Sequence, residues 1–412
     1  MFLGVFEIKT LIELFDRSQI ENVIAALRFN PQKIVFIGFK EVMTKRRQKA
    51  LSDFFAMREM NIEFEFEIVE RYDFDAIVGK LNSILDRNDD CCFDLTGGKE
   101  LVLTAMGVVS TLRDVPMFQI NVRTGDFIKI KNCEDLIGTE KSTMLLKESV
   151  VLNGCSVVYT ERDDFKWDLN TEFKRDLEVI WQISKRNCGL WNRQCGVFEN
   201  IERFGQIDEE YRVSVNLKYM RECNQDVLLH KQVVDNLLQN NLLLEYVRQG
   251  DMLCFRYKNK QIHQCITKAG NILELYSYML FKEITEEEPG YYDDIDIGVY
   301  IDWDGVIHDI TSEKKDTKNE IDVMLMRDLV PIFVSCKNGK VHKEALYELA
   351  TVSDKFGGKY AKKFLLTTYV SSDDDGRKYL IQRAHDMNIT VIEGVERLER
   401  DEFKSLLKKT IK

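Results

Sequence analysis

Five histidines and no Cys-x-x-Cys pair in 412 residues leave little from which to build a zinc site, which draws its ligands mainly from those two side chains. The ten cysteines are scattered. Cys91 and Cys92 are neighbours that do not fit a disulfide framework, so free, buried thiols in a reducing cytosol are expected. No apolar run approaches the roughly 20 residues that span a bilayer, which argues against any membrane role. Met1 to Thr10 lacks the basic start, apolar centre and small-residue cleavage site of a signal peptide, and reads as a first strand of a cytoplasmic protein. Repeats and low-complexity segments are missing too; Glu286–Glu288 and Asp373–Asp375 read as acidic loop runs.

What is present is an ordinary globular composition, 44% apolar and 31% charged, in a chain long enough for two or three cores. The net charge of −11 argues against a coat protein for nucleic acid. It leaves room for a nuclease, because a local basic track or a metal ion can override the global sign. Lys45-Arg46-Arg47 is a candidate basic patch, whereas Lys408-Lys409 reads as a solvated helix face.

Residues 1–150 alternate strand-like and helix-like patterns. Strands are expected at Ile8–Phe15, Lys33–Phe39, Ile62–Val69 and Cys91–Leu95. Helices are expected at Gln19–Arg28, Thr44–Glu59, Phe74–Leu85 and Lys99–Leu112. Such alternation implies a doubly wound, mostly parallel sheet, with a hairpin of Met117–Val122 and Phe127–Lys131 appended. Residues 165–262 carry amphipathic helices at Thr171–Lys185 and Asp226–Asn240, then two strands around Gln249-Gly250-Asp251. Helix followed by β-wing predicts a winged helix, and with only Lys231 on its recognition helix it reads as a connecting and dimerising module. Residues 263–412 form a third α/β unit, with a helix over Ala269–Phe281.

The third unit holds the chemistry. Asn319-Glu320-Ile321-Asp322-Val323 and Phe333-Val334-Ser335-Cys336-Lys337 read as two short apolar strands. Alternation puts Glu320 and Asp322 on one face of the first, and Ser335 and Lys337 on one face of the second. A two- or four-residue turn around Arg327-Asp328 brings both sets to the same face. Two carboxylates and an ammonium can hold a divalent cation and steady a phosphate charge. The plain alternative is a cross-strand ion pair between Asp322 and Lys337. Glu274, on the margin of the stripe Ile272, Leu275, Tyr276 and Met279, could reach the same spot. In the first unit, Asp94-Leu95-Thr96-Gly97-Gly98-Lys99 joins a strand to a helix. Paired glycines let the backbone turn sharply, and free helix amides with Lys99 make an anion site.

The hairpin resembles that of the restriction-endonuclease-like nucleases of the PD-(D/E)xK type. Asp322 matches their hairpin Asp, Lys337 their Lys, and Glu274 the acid many carry on the first helix. Ser335 stands where an acid is usual, so Glu320 or Glu274 is expected to supply the missing charge. The glycine turn, with the polar turn Asp16-Arg17-Ser18-Gln19 after the first strand, resembles the CARF domain (CRISPR-associated Rossmann fold). That resemblance implies a homodimer binding a cyclic oligoadenylate through Asp16, Arg17, Ser18, Thr96, Gly97, Gly98 and Lys99, with Lys40 and Thr44 as neighbours.

Both ends together resemble the CRISPR ancillary nucleases activated by cyclic tetra-adenylate. The resemblance implies Mg²⁺ or Mn²⁺ on Asp322, Glu320 and Glu274, and single-stranded DNA, RNA or duplex DNA as substrate. It makes Ser335 a family trait. Three other readings stand beside it: a ligand-sensing transcription regulator with a degenerate nuclease part, a pocket that also cleaves its own messenger, and a nuclease needing no messenger.

Overall fold

The computed structural model describes residues 8–134, 136, 142–158, 166–268, 270–306, 308, 311–371 and 373–412. The expected strand reaching back to Met1 therefore lies largely outside the described residues. The first sheet is built from β1 (Thr10–Leu14), α1 (Ile24–Phe29), β2 (Lys33–Gly38), α2 (Lys45–Met57), β3 (Glu63–Ile68), α3 (Phe74–Leu85), β4 (Cys91–Asp94), α4 (Glu100–Arg113), β5 (Met117–Ile120) and β6 (Phe127–Lys131). Its strand order is β3-β2-β1-β4-β5-β6, parallel through β5, with β6 antiparallel at the edge. The expected Rossmann-like sheet is borne out. Central β1 and β2 are apolar and buried because helices cover both faces. Edge strand β3 instead alternates Phe with Glu, and Glu63, Glu65 and Glu67 pair with Lys33, Arg87 and Lys80, which blunts the edge against further pairing. The order reverses between β1 and β4, where open sheets of this kind bind ligands. The helix expected from Gln19 is a 3₁₀ turn, Gln19–Asn22, followed by the shorter α1.

Helix α5 (Leu146–Leu152) and β7 (Ser156–Val157) lead out of this sheet. Next come α6 (Thr171–Arg186), α7 (Cys188–Phe204), β8 (Gln206–Ile207), β9 (Arg212–Asn216), α8 (Leu217–Glu222), α9 (Lys231–Gln239), β10 (Leu243–Gln249) and β11 (Met252–Tyr257). Helix, strand, two helices and a two-stranded wing is the winged-helix order. Helix α9 starts five residues later than expected, because Asp226 turns the chain by accepting the Leu228 amide at 3.0 Å and pairs with Arg193.

The remaining elements are α10 (Lys260–Thr267), α11 (Asn271–Glu287), β12 (Asp294–Asp302), β13 (Lys318–Arg327), β14 (Val330–Lys340), α12 (Lys343–Gly357), β15 (Lys362–Tyr369), α13 (Asp374–Asp386), β16 (Ile389–Glu393) and α14 (Arg400–Thr410). Their sheet runs β16-β15-β14-β13-β12-β7, antiparallel from β7 to β14 and parallel from β14 to β16. Ala269, expected to begin a helix, is outside the described residues. The Asp373–Asp375 run is not a loop: Asp373 caps α13 by accepting the Asp375 and Gly376 amides.

Alternate residues of this last sheet enter two different cores. Met324, Met326, Phe333 and Leu365 join the core of the first sheet, while Val323, Leu325, Val334 and Leu366 join that of α6, α7, α11 and the winged helix. The C-terminal sheet is thus clamped between the other two parts. All ten cysteines are unpaired, most are buried, and Cys254 is exposed. Among the described residues no helix is long and apolar enough to cross a membrane.

Candidate active site

Strands β13 and β14 form a hairpin closed by the two residues Asp328-Leu329, with Asp328 in the left-handed region at φ 58°. This is one of the two turns the pattern allowed. Pairing stops at Val323 opposite Val334, and beyond it the strands part. The Asp322 side chain fills the gap. Its Oδ2 accepts the Cys336 amide at 2.6 Å, the Ser335 hydroxyl at 3.1 Å and the Lys337 ammonium at 3.3 Å. Ser335 is therefore a donor that orients Asp322. Burial works to lower the pKa of Lys337, but Asp322, Cys336 and Glu274 outweigh it, so the ammonium stays charged.

Glu274 projects from the first turn of α11 towards the same place. Burial, then the Asp322 charge, push its carboxyl up to about 8, against the opposing pull of Lys337. Glu320 is at the rim: it is exposed, lies opposite Tyr300 on β12, and accepts that hydroxyl at 2.6 Å. Its charge is felt at Glu274. Asp322, Lys337 and Ser335 are thus in direct contact, Glu274 faces them, and Glu320 stands apart. Among the described residues, no three acid, His or Cys side chains are close enough to form a ready-made metal cage.

The second site lies at the strand reversal of the first sheet. A cavity of about 160 Å³ is lined by Asp16, Arg17 and Lys99, with Leu14, Phe15, Phe39, Val42 and Arg71. Arg71 stacks over the Phe39 ring at 4.7 Å and pairs with Glu41. The glycine turn abuts this cavity, since a Cβ on Gly97 would lie 3.2 Å from that of Asp16 and 3.1 Å from that of Glu21. Gly98 has φ +148°, and a side chain there would strike Leu103. Several expected ligand residues are committed internally. Asp16 accepts the Ser18 amide at 2.9 Å, and its own amide donates to Asn22 at 2.7 Å. The Thr96 hydroxyl donates to Asp94 and accepts the Ile120 amide at 2.9 Å. Asp16 and Thr96 thus shape the turns, and Arg17 and Lys99 line the cavity. Thr44 caps α2, accepting the Arg47 amide, and Lys40 is exposed. Arg46, from the expected basic patch, instead donates to the carbonyls of Gly154 and Trp303 at 2.8 and 2.7 Å.

Beneath the turns, Glu13 and Asp94 are register partners on β1 and β4, both buried. Burial, then each other's proximity, raises Glu13 well above the usual range, and burial lifts Asp94 to about 6 despite its bonds from Thr96. Glu21 is also buried and raised. One of its oxygens accepts the Tyr360 hydroxyl at 2.5 Å and the Lys359 ammonium at 2.7 Å. Those residues follow α12, so the turn after β1 touches the C-terminal part directly. Residues the sequence did not reveal are Tyr300, Arg71, Phe39 and Glu21. Tyr300 could have been found from the strict alternation of Asp294-Ile295-Asp296-Ile297.

Residues 264–409 match the family described as the Card1-like endonuclease domain. The match takes in Glu274, Glu320, Asp322, Ser335 and Lys337. Over the whole chain, the fold is shared with solved structures that include the following two. Protein VC1899 from Vibrio cholerae has 16% identity and a TM-score of 0.73, covering 97% of each chain. Can2 from Sulfobacillus thermosulfidooxidans, in complex with cyclic tetra-adenylate, has 16% identity and a TM-score of 0.65, covering 98% of each chain. No curated protein matches the sequence. The chain thus joins a Rossmann-like N-terminal sheet, a winged helix and an endonuclease-like C-terminal sheet in one fold shared with Can2.

Proposed function

We propose that the protein is a metal-dependent nuclease of type III CRISPR defence, working as a homodimer and switched on by a cyclic oligoadenylate, cyclic tetra-adenylate first among them. The observation that carries the nuclease reading is the Asp322 carboxylate held by Ser335, Cys336 and Lys337 with a second acid, Glu274, facing it. A structural ion pair does not need that second acid, which is costly to bury beside a like charge. The Card1-like match over the same residues supports the reading.

Carboxylate oxygens are the donors that Mg²⁺ and Mn²⁺ take, and the charge conflict between Glu274 and Asp322 is what a cation would relieve. Asp322 and Glu274 would hold the ion, with Glu320 reached from the rim. Bound there, the ion would acidify a water and draw charge from the phosphodiester. Lys337 presents a permanent ammonium to the charge that grows on phosphate oxygens during attack. Asp322 keeps that ammonium in place, and Ser335 keeps Asp322 in place.

The N-terminal cavity supports the messenger reading. Arg17, Arg71 and Lys99 converge on it, free amides open α4, and Arg71 is held there by stacking on the buried Phe39 ring. Its volume is small for a cyclic tetranucleotide, as expected of half a site shared by two copies. The complex of Can2 with cyclic tetra-adenylate points to the same ligand. The Glu21 contact to Lys359 and Tyr360 gives a ligand at the turns a direct hold on the C-terminal sheet. The test combines purified protein, labelled DNA and RNA, and Mg²⁺ or Mn²⁺, with and without cyclic tri-, tetra- and hexa-adenylate. Cleavage that needs both metal and the tetra-adenylate is expected. Cleavage indifferent to all three rings refutes the switch, and none under any condition refutes the nuclease.

A further inference from the structure

We infer that Asn192, on α7 beside the winged helix, is a positioning residue for Lys337; the inference rests on the nuclease reading above. The ladder between β14 and β15 is regular up to Lys337 opposite Thr367 and resumes only at Lys340 opposite Tyr369. The intervening bulge begins at the residue after the lysine. Bulges beside active sites re-aim a neighbouring side chain, and this one needs anchors because the ladder no longer supplies them.

The anchors come from outside the C-terminal sheet. Asn338 is buried. Its side-chain amide donates to Asn192 Oδ1 at 3.1 Å and Ser184 Oγ at 3.3 Å, and its Oδ1 accepts from Thr368 at 3.4 Å. Asn192 Nδ2 donates in return to the Asn338 carbonyl. Asn192 and Asn338 thus form a reciprocal pair, closing both the side chain and the backbone of the residue next to Lys337. The Thr367 hydroxyl sits among the carbonyls of Lys337, Gly339 and Tyr369 at 3.0, 3.2 and 3.1 Å, and holds the other side. Gly339, at φ +137°, provides the backbone that lets the chain turn here. With the backbone clamped on both sides, the Lys337 side chain is left to reach Asp322. A pair placed only to join two parts of the protein could sit anywhere along α7. This one sits on the residue that follows Lys337.

Asn192→Asp and Asn192→Ala test this in the full chain. The aspartate keeps the shape and the acceptor for Asn338 but loses the donor to its carbonyl. Both variants are expected to melt as cooperative folded proteins. The turnover number should fall on the order of ten- to a hundredfold, as misplacement by an ångström does, with KM for the nucleic acid and affinity for the tetra-adenylate unchanged. A second measurement does not depend on cleavage: the rate at which an amine-reactive label modifies Lys337, read by mass spectrometry. It should rise several-fold in both variants as the lysine leaves Asp322. Wild-type turnover with wild-type labelling in folded Asn192→Asp overturns the inference. A wild-type protein that cuts nothing, yet shows the faster labelling on substitution, overturns the nuclease reading and keeps the positioning.

Discussion

Glu274→Gln separates the cost of a buried charge from the chemistry it serves. Burial and Asp322 push the Glu274 carboxyl from the usual 4.5 to about 8. A raised carboxyl favours the fold fully below its unfolded value, and that advantage is lost as pH climbs from about 4.5 through about 8. At pH 8 without metal, the displacement costs the native state on the order of 4 to 5 kcal/mol, at about 1.4 kcal/mol for each unit of displacement. Glutamine fills the same space without the charge. The melting midpoint of Glu274→Gln should therefore exceed that of the wild type by several degrees at pH 8 in EDTA, and the gap should close towards pH 4.5. Mn²⁺ should raise the wild-type midpoint and leave the variant where it was. Cleavage should be lost although the protein has become more stable. Equal midpoints at pH 8, or a gap that does not change with pH, would show that Glu274 carries no buried charge conflict.

Four other outcomes are expected. Lys337→Ala should abolish cleavage while isothermal titration shows undiminished binding of the tetra-adenylate, because the two sites share no residue. Gly97→Val forces a branched side chain against Asp16 and Glu21, whose Cβ atoms stand 3.2 and 3.1 Å from a Cβ there; messenger affinity should drop at least tenfold, with messenger-free behaviour unchanged. Arg71→Ala should weaken the same binding, and more at low salt, where a lost cation is felt most. Tyr360→Phe removes one of two donors to a buried carboxylate, a loss of about 1.5 to 3 kcal/mol; cleavage rates with and without messenger should move closer together.

The parts of this account that are local in the chain were legible in the sequence. The hairpin register follows from alternation and a two-residue turn, and Asp322 meets Lys337 as that register requires. The glycine turn falls at the strand reversal because strand and helix alternate regularly before it. Strand β12 was not among the expected strands, since its acids and central Gly298 break the apolar pattern, and Tyr300, the partner of Glu320, went with it. Glu21 and Tyr360 are 339 positions apart, and Asn192 and Asn338 are 146 apart; no periodicity reports such contacts. Thr96 and Asp16, expected to hold a ligand, also bond within their own turns, which the sequence pattern did not announce. A polar residue in a tight turn satisfies its own backbone first.

The central claim is that the acids around Asp322 and the Lys337 ammonium form one hydrolytic centre. The direct measurement is gel-resolved cleavage of labelled nucleic acid by purified Asp322→Ala, in Mn²⁺ and saturating cyclic tetra-adenylate, beside the wild type. The account predicts products from the wild type and none from the variant, with equal messenger binding in both. Metal-dependent cleavage retained by Asp322→Ala would contradict it.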